Sequence, residues 1–357
     1  MKLPTKRLRN RRQAAMATTD LHPAYSSPLL SRRRFISISA AAAGLGLIGH
    51  SVKAGQEGEL RIWRGEVLGA QAEMKIHHPD EKEGERLITL AVTELRRLER
   101  QFSLYYDQSE LLLLNRTGLL EAPSIDFIEL LTLSHHFSEL TGGLFDPTVQ
   151  PLWNLYLSHF SRKDADAAGP EPKDLRAALD LVGMRHVIFN EDRVVLGRKG
   201  MGLTFNGIGQ GYITDKVVAL LRQNGIERSL IDLGETRAIG PRPDGTPWRI
   251  AIADPVRADA IMTTLSIADR ALATSGGYGF RFDTNGRFNH IFNPVNGLSA
   301  NRYASVSIVH DNATAADALA TAACLMPGEK IGPLLSAAGG GEAYVIKHSG
   351  ETESIRA

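Results

Sequence analysis

The chain has 357 residues, 43% of them hydrophobic and 23% charged, which excludes a disordered protein and leaves room for one large or two ordinary globular domains. The formal net charge of +1 hides an asymmetry. Residues 1–54 hold ten Lys or Arg and one Asp, so the remainder carries 31 basic and 39 acidic residues, a net of −8, which argues against a nucleic-acid binder.

Ser31-Arg32-Arg33-Arg34-Phe35-Ile36-Ser37 precedes a mild apolar run, Ile36 to Ile48, too short and too rich in Ala and Gly to span a bilayer. Arginines ahead of such a run, with Val52-Lys53-Ala54 as a small-residue cleavage site, predict a twin-arginine signal peptide over residues 1–54 and a folded domain over 55–357. The expected location is the periplasm, with no stable membrane span in the mature protein. Met16 offers an alternative start. Cys324 is the sole cysteine, so no internal disulfide forms, and it reads as a small core residue.

Leu60 to Ile76 reads as a strand pair around Gly65 and Gly69, and Glu81 to Phe102 as a helix with Leu87, Leu90, Ala91, Leu95 and Leu98 on one side. Ser109 to Asn115 begins a further turn, and Ile125 to Leu140 is a second helix. His135 and His136 lie on that helix, but adjacent positions point about 100° apart, so they cannot share a metal. Thr141 to Thr148 (TGGLFDPT) is a turn whose apolar residues beside an acid suit the edge of a flat aromatic ligand or an ordinary helix end. Ser158 to Pro172 reads as an exposed loop, Leu175 to Leu181 as a short helix, and His186 to Leu196 as a hairpin turning near Asn190.

Leu203 to Gly240 is the stretch around which the chain is organised. Gly207, Gly209 and Gly211 alternate in a loop that leads into a helix carrying Ile213, Val217, Val218 and Leu221 and stopping at Gly225. Such a loop, with φ > 0 open to its glycines and helix amides pointing back at it, suits a phosphate. It equally suits a tight strand-to-helix turn, and it is neither a P-loop nor G-x-G-x-x-G. Strands follow at Ser229 to Gly234, Trp248 to Ala253, Met262 to Ala268 and Ser305 to Val309. Between the last two, Ala273-Thr274-Ser275-Gly276 places hydroxyls and glycines after an apolar run, and His290 stands before a Pro and Gly turn. The helix Asn312 to Met326 is almost wholly small or apolar, yet carries Asp317 and Thr321 one turn apart on one face. A buried carboxylate needs a partner. An aspartate, a threonine and a backbone carbonyl suit Mg²⁺; alternatively Asp317 caps a loop amide and Thr321 bonds back to its own helix.

Six blocks in this order resemble the bacterial FAD:protein FMN transferase (ApbE) family: Phe102-Ser103-Leu104-Tyr105, Gly142-Gly143-Leu144-Phe145-Asp146-Pro147-Thr148, Asn206-Gly207-Ile208-Gly209-Gln210-Gly211-Tyr212, Ala273-Thr274-Ser275-Gly276, His290-Ile291-Phe292-Asn293-Pro294 and Asp317-Ala318-Leu319-Ala320-Thr321-Ala322. The resemblance implies an α+β fold, mixed β-sheets flanked by helices, with an FAD cleft between sub-domains. It also implies Mg²⁺-dependent transfer of FMN from FAD to a threonine or serine hydroxyl of an exported redox partner, releasing AMP. Carried over position by position, it places Mg²⁺ on Asp317, Thr321 and the Gly207 carbonyl, and FAD against Leu68, Tyr105, Leu144, Phe145, Asp146, Thr204, Gln210 and Ile291. The chain departs from the family pattern at Leu68, Thr204, Gln210, Glu235 and Asn293. Activating an acceptor hydroxyl needs a base, and His290 is the best-placed candidate. The rival readings are an exported flavin-binding protein and a pyrophosphatase that hydrolyses FAD.

Overall fold

The computed structural model describes residues 59–357 except 256, 258 and 259; the expected signal peptide lies outside the described residues. Strands β1 (Glu59–Val67) and β2 (Ala70–His78) pair antiparallel through a two-residue turn in which Leu68 takes φ 48° and Gly69 φ 86°. Helix α1 (Glu81–Phe102) starts where the Asp80 carboxylate accepts the Glu83 amide at 3.1 Å, and it buries Leu87, Ala91, Leu95 and Leu98. The stretch from Ser109, read from sequence as a turn, is a two-turn helix, α2 (Glu110–Thr117), capped by the Ser109 hydroxyl. Then come β3 (Leu119–Glu121), α3 (Ile125–Leu140), α4 (Gln150–Phe160) and α5 (Pro172–Leu179). Residues 158–160 therefore end a helix that the sequence reading assigned to a loop. Helix α5 starts earlier than expected because Pro172, with its φ already fixed, serves at the first helical turn. The hairpin β4 (Val187–Phe189) and β5 (Arg193–Leu196) turns on Asn190, whose side chain accepts the amides of Asp192 and Arg193.

After α6 (Gly209–Gln223) come β6 (Ser229–Asp232), β7 (Thr236–Ile239), β8 (Trp248–Ala253), β9 (Ile261–Ile267), β10 (Ala271–Ser275), β11 (Ser305–His310), α7 (Ala313–Ala323), α8 (Gly328–Ala337), β12 (Glu342–Ile346) and β13 (Thr352–Arg356). One eight-stranded sheet runs β1-β2-β6-β7-β10-β11-β12-β13, antiparallel throughout. Alternation decides which face each side chain serves. In β10, Ala271 and Ala273 enter the main core with the helices, while Leu272 enters a second core with Trp248, Ile250 and Leu265 of the β8–β9 ribbon. Every residue of β11 is buried, because both faces of the sheet are covered there. A third, aromatic cluster gathers Trp153 and Tyr156 of α4 with Phe288 and Phe292. Among the described residues no helix is long and apolar enough to cross a membrane.

Helix α7 lies on β10 and β11 and against α6. The contact is close because both helices are small there: a Cβ on Gly211 would fall on the carbonyl oxygen of Ala313. Asp215 of α6 locks the pair. Its carboxylate accepts the amides of Ala313 and Thr314 at 3.0 and 2.8 Å, the Thr314 hydroxyl at 2.6 Å, and the guanidinium of Arg237. Four charge-assisted bonds thus satisfy the first-turn amides of α7 and tie α6 to β7. The glycines of the loop differ from expectation: Gly207, Gly209 and Gly211 all keep ordinary φ, and their function is close approach.

Gly211→Ala should lower stability by about 1–3 kcal/mol, the usual cost of overpacking against an unyielding backbone. The urea midpoint reads this directly, and an unchanged midpoint would mean that α6 and α7 separate freely.

Candidate functional site

A cleft of about 840 Å³ opens where the main core meets the aromatic cluster. It is bounded by the turn after α3, the glycine loop, the end of β10, the segment 290–292 and α7. Ten of the twelve residues singled out in the sequence line it: Leu144, Phe145 and Asp146; Thr204, Gly207 and Gln210; His290 and Ile291; Asp317 and Thr321. Leu68 and Tyr105 do not. Leu68 occupies the β1–β2 turn, its amide donating to the Glu99 carboxylate at 2.9 Å. Tyr105, on the loop between α1 and α2, is 64% exposed.

Helical spacing puts Asp317 and Thr321 on the cleft face of α7, one turn apart. The glycine loop reaches them because it has no side chain: a Cβ on Gly207 would stand 2.8 Å from the Thr321 hydroxyl. Asp317 is buried and accepts the Gly211 amide at 3.2 Å, so the loop-amide cap weighed from sequence is present. Thr321 does not bond back to its helix; its hydroxyl lies 3.4 Å from that of Ser275. Ile208 gives helix α6 no side-chain cap; its first-turn amides of Gly209 and Gly211 donate to the Phe205 carbonyl at 2.6 Å and to Asp317, and the positive end of the helix lies at the cleft.

Burial pushes the Asp317 carboxyl well above the ordinary carboxylate range. Glu235, 6% exposed in the same wall, is also pushed well above that range by burial, with the charges of Asp317 and Asp232 adding to it. The lining contains no Lys or Arg among the described residues. Two desolvated acids with no cationic side chain beside them, together with the Thr321 hydroxyl and the Gly207 backbone, form an oxygen-only donor set that fits a hard cation. Among the described residues no group of three His, Cys, Asp or Glu is built for a softer metal.

Asp146 is committed to structure. One oxygen accepts the Thr148 amide and hydroxyl at 2.8 and 2.6 Å, and the other accepts the Met184 amide at 3.2 Å. Thr204 is similarly engaged, its backbone amide donating to the Pro147 carbonyl at 2.7 Å, and the Gln210 side-chain Nε2 donates to the Val67 carbonyl at 3.3 Å. His290 is half-buried. Its Nδ1 lies 3.3 Å from the Phe280 carbonyl, which can only accept, so the proton sits on Nδ1 and Nε2 keeps its lone pair. Burial lowers its pKa to about 4, leaving the ring neutral near pH 7. Glu235, Thr274, Ser275 and Trp153 also line the cleft. The sequence had marked the two hydroxyls by their position after an apolar run and Glu235 as a departure from a family pattern. Trp153 carried no signal because its helix was not read.

The comparisons agree with this architecture. A family model described as the ApbE family matches residues 68–345. The FAD:protein FMN transferase of Vibrio cholerae is 30% identical over 273 residues, covering 74% of this chain and 81% of that protein. The protein of the same name from Treponema pallidum is 31% identical over 275 residues, with 71% and 75% covered. Among solved structures, the ApbE protein of Thermotoga maritima superposes with a TM-score of 0.73 at 27% identity, covering 83% of this chain and 97% of that one. The flavin transferase ApbE of Vibrio cholerae gives 0.70 at 26%, covering 84% and 97%. The fold is thus the mixed α+β architecture of these structures. The chain belongs to the ApbE family.

The raised carboxyls carry a linkage consequence. In the metal-free protein, Asp317 and Glu235 hold protons that the unfolded chain releases near pH 4. Their contribution to stability is therefore full below about pH 4 and is lost as pH rises through their higher folded values. Urea midpoints in chelator from pH 4 to 8 should fall in the wild type and flatten in the Asp317→Asn, Glu235→Gln double variant. Equal slopes would show that neither acid is held protonated.

Proposed function

We propose that this chain is an FAD:protein FMN transferase, moving FMN from FAD to a threonine or serine hydroxyl of an exported redox protein and releasing AMP. The observation that carries the reading is the meeting of Gly207, Asp317 and Thr321 across a cleft that His290 also lines, its Nδ1 turned to the Phe280 carbonyl. The relatives named above bear this activity in their names, and five of the six sequence blocks contribute residues to the cleft lining.

Asp317, Thr321 and the Gly207 carbonyl would hold Mg²⁺, which supplies charge neutralisation on the non-bridging pyrophosphate oxygens. The amides of the first turn of α6 add positive potential on the same side. Leu144, Phe145 and Ile291 offer an apolar wall for a flat ring system. His290 Nε2 takes the proton of the acceptor hydroxyl as its oxygen bonds to the FMN-side phosphorus. The bond from that phosphorus to the bridging oxygen breaks, and AMP departs with that oxygen. The neutral tautomer fixed by the Phe280 carbonyl suits His290 to this task. The twin-arginine pattern at residues 31–37 supports export and a periplasmic site of action.

His290→Ala should retain FAD binding and lose about 10²- to 10⁴-fold in transfer, the usual range for a general base. Mass spectrometry of a candidate acceptor, looking for covalently added FMN, separates transfer from simple FAD hydrolysis and from binding alone. Full transfer by the variant would remove His290 from the chemistry. Because burial depresses the His290 pKa, the acid limb of the transfer rate should lie below the ordinary histidine value of about 6.5; a limb at or above that value would show His290 to be solvated during turnover.

A further inference from the structure

The cleft wall contains three carboxylates, Asp146, Glu235 and Asp317, and among the described residues no Lys or Arg to balance them. Asp146 spends its oxygens on Thr148 and Met184. Glu235 has one backbone partner for its carboxylate, the Thr274 amide at the end of β10, against the three donors that occupy Asp146, and its position is well fixed. It stands at the β6–β7 turn, where its carbonyl accepts the Leu233 amide at 3.2 Å and lies 3.4 Å from the Thr214 hydroxyl. Gly234, at φ 101°, lets the Gln210 side chain pack beneath the turn; a Cβ there would lie 2.7 Å from the Gln210 carboxamide carbon. The backbone is thereby held on both sides, and Glu235, 6% exposed, lines the cleft close enough to Asp317 for the two charges to interact. The cation two residues along the hairpin, Arg237, turns away to pair with Asp215.

We propose that Glu235 is the second carboxylate of the cation site, and that Glu235 and Asp317 together load a divalent cation into the cleft before the dinucleotide arrives. The inference rests on the cation reading of Asp317, Thr321 and Gly207. Its physical basis is charge. One carboxylate leaves a bound divalent ion half neutralised and dependent on the substrate's phosphates for retention. Two buried carboxylates match the ion's charge, so it is retained alone. Without an ion the wall offers an incoming pyrophosphate no whole positive charge, because no basic side chain lines it among the described residues. Cation first, dinucleotide second, is the order that this wall favours.

The test uses the full chain stripped with chelator, titrated with MgCl₂ by calorimetry in the absence of FAD, alongside metal-free FAD binding followed by flavin fluorescence. Wild type should bind Mg²⁺ alone. Glu235→Gln should bind it about 10- to 100-fold more weakly, as loss of supporting ligands generally does, with metal-free FAD binding weak in both proteins. Glu235→Asp, which keeps the charge, should recover most of the cation affinity, a rescue that a purely structural role would not give. Equal Mg²⁺ affinity in wild type and Glu235→Gln would overturn the assignment of Glu235. Wild type that binds Mg²⁺ only once FAD is present would overturn the loading order. Undiminished affinity in Asp317→Asn would instead overturn the cation site itself.

Discussion

The close contact between the start of α6 and the start of α7 is the constraint on which the site depends. Gly207 approaches Thr321, and the Gly211 amide approaches Asp317, only because Gly211 lets α6 rest on the Ala313 carbonyl. The alanines of α7 serve the same end, keeping that helix thin where it is wedged between β10, β11 and α6. Asp215 fixes the geometry, binding the first turn of α7 from the side of α6 and drawing Arg237 of β7 into the same junction. The functional groups are therefore carried on packed regular elements, where small displacements are opposed by many contacts.

The electrostatics of the cleft follow from this packing. Asp317 is dry because the elements around it are tight, and Glu235 is dry because it closes a hairpin against Gln210. Dry acids favour the neutral form unless a cation is supplied. The helix end of α6 contributes partial positive charge from amides, while the described lining contributes no whole positive charge. The described wall thus offers oxygen donors and no basic side chain, a lining better suited to a cation than to a bare anion.

Much of this was legible in the sequence where pattern and period were strong. Helices α1 and α3 match their expected limits because their apolar spacing is regular and Asp80 and Ser124 cap them. The Asp317 and Thr321 pair was legible because four residues on a helix make one turn. The role of the loop glycines was only half legible: glycine alternation shows that side chains are excluded, but whether the reason is positive φ or a neighbour's carbonyl depends on residues 102 positions away, Gly211 against Ala313. Helix α4 was missed because its buried face includes the polar His159, whose ring bonds to the Asp166 carbonyl and whose burial no period predicts. Glu235 stood out only as a departure; its meaning needed Asp317 beside it.

The order of strands in the large sheet adds a temporal dimension. Strands β10 and β11 are continued on one side by β7, β6, β2 and β1, reaching back to the beginning of the described chain, and on the other by β12 and β13 from its end. The small-residue helix that carries Asp317 and Thr321 is made after residue 312, whereas the turn across the cleft from it is made before residue 149. Nearly the whole domain must be available before those two segments can meet, and such long-range closure is slow relative to local structure. The chain therefore acquires its chemistry last, as a product of completed topology and not of any fragment that folds early.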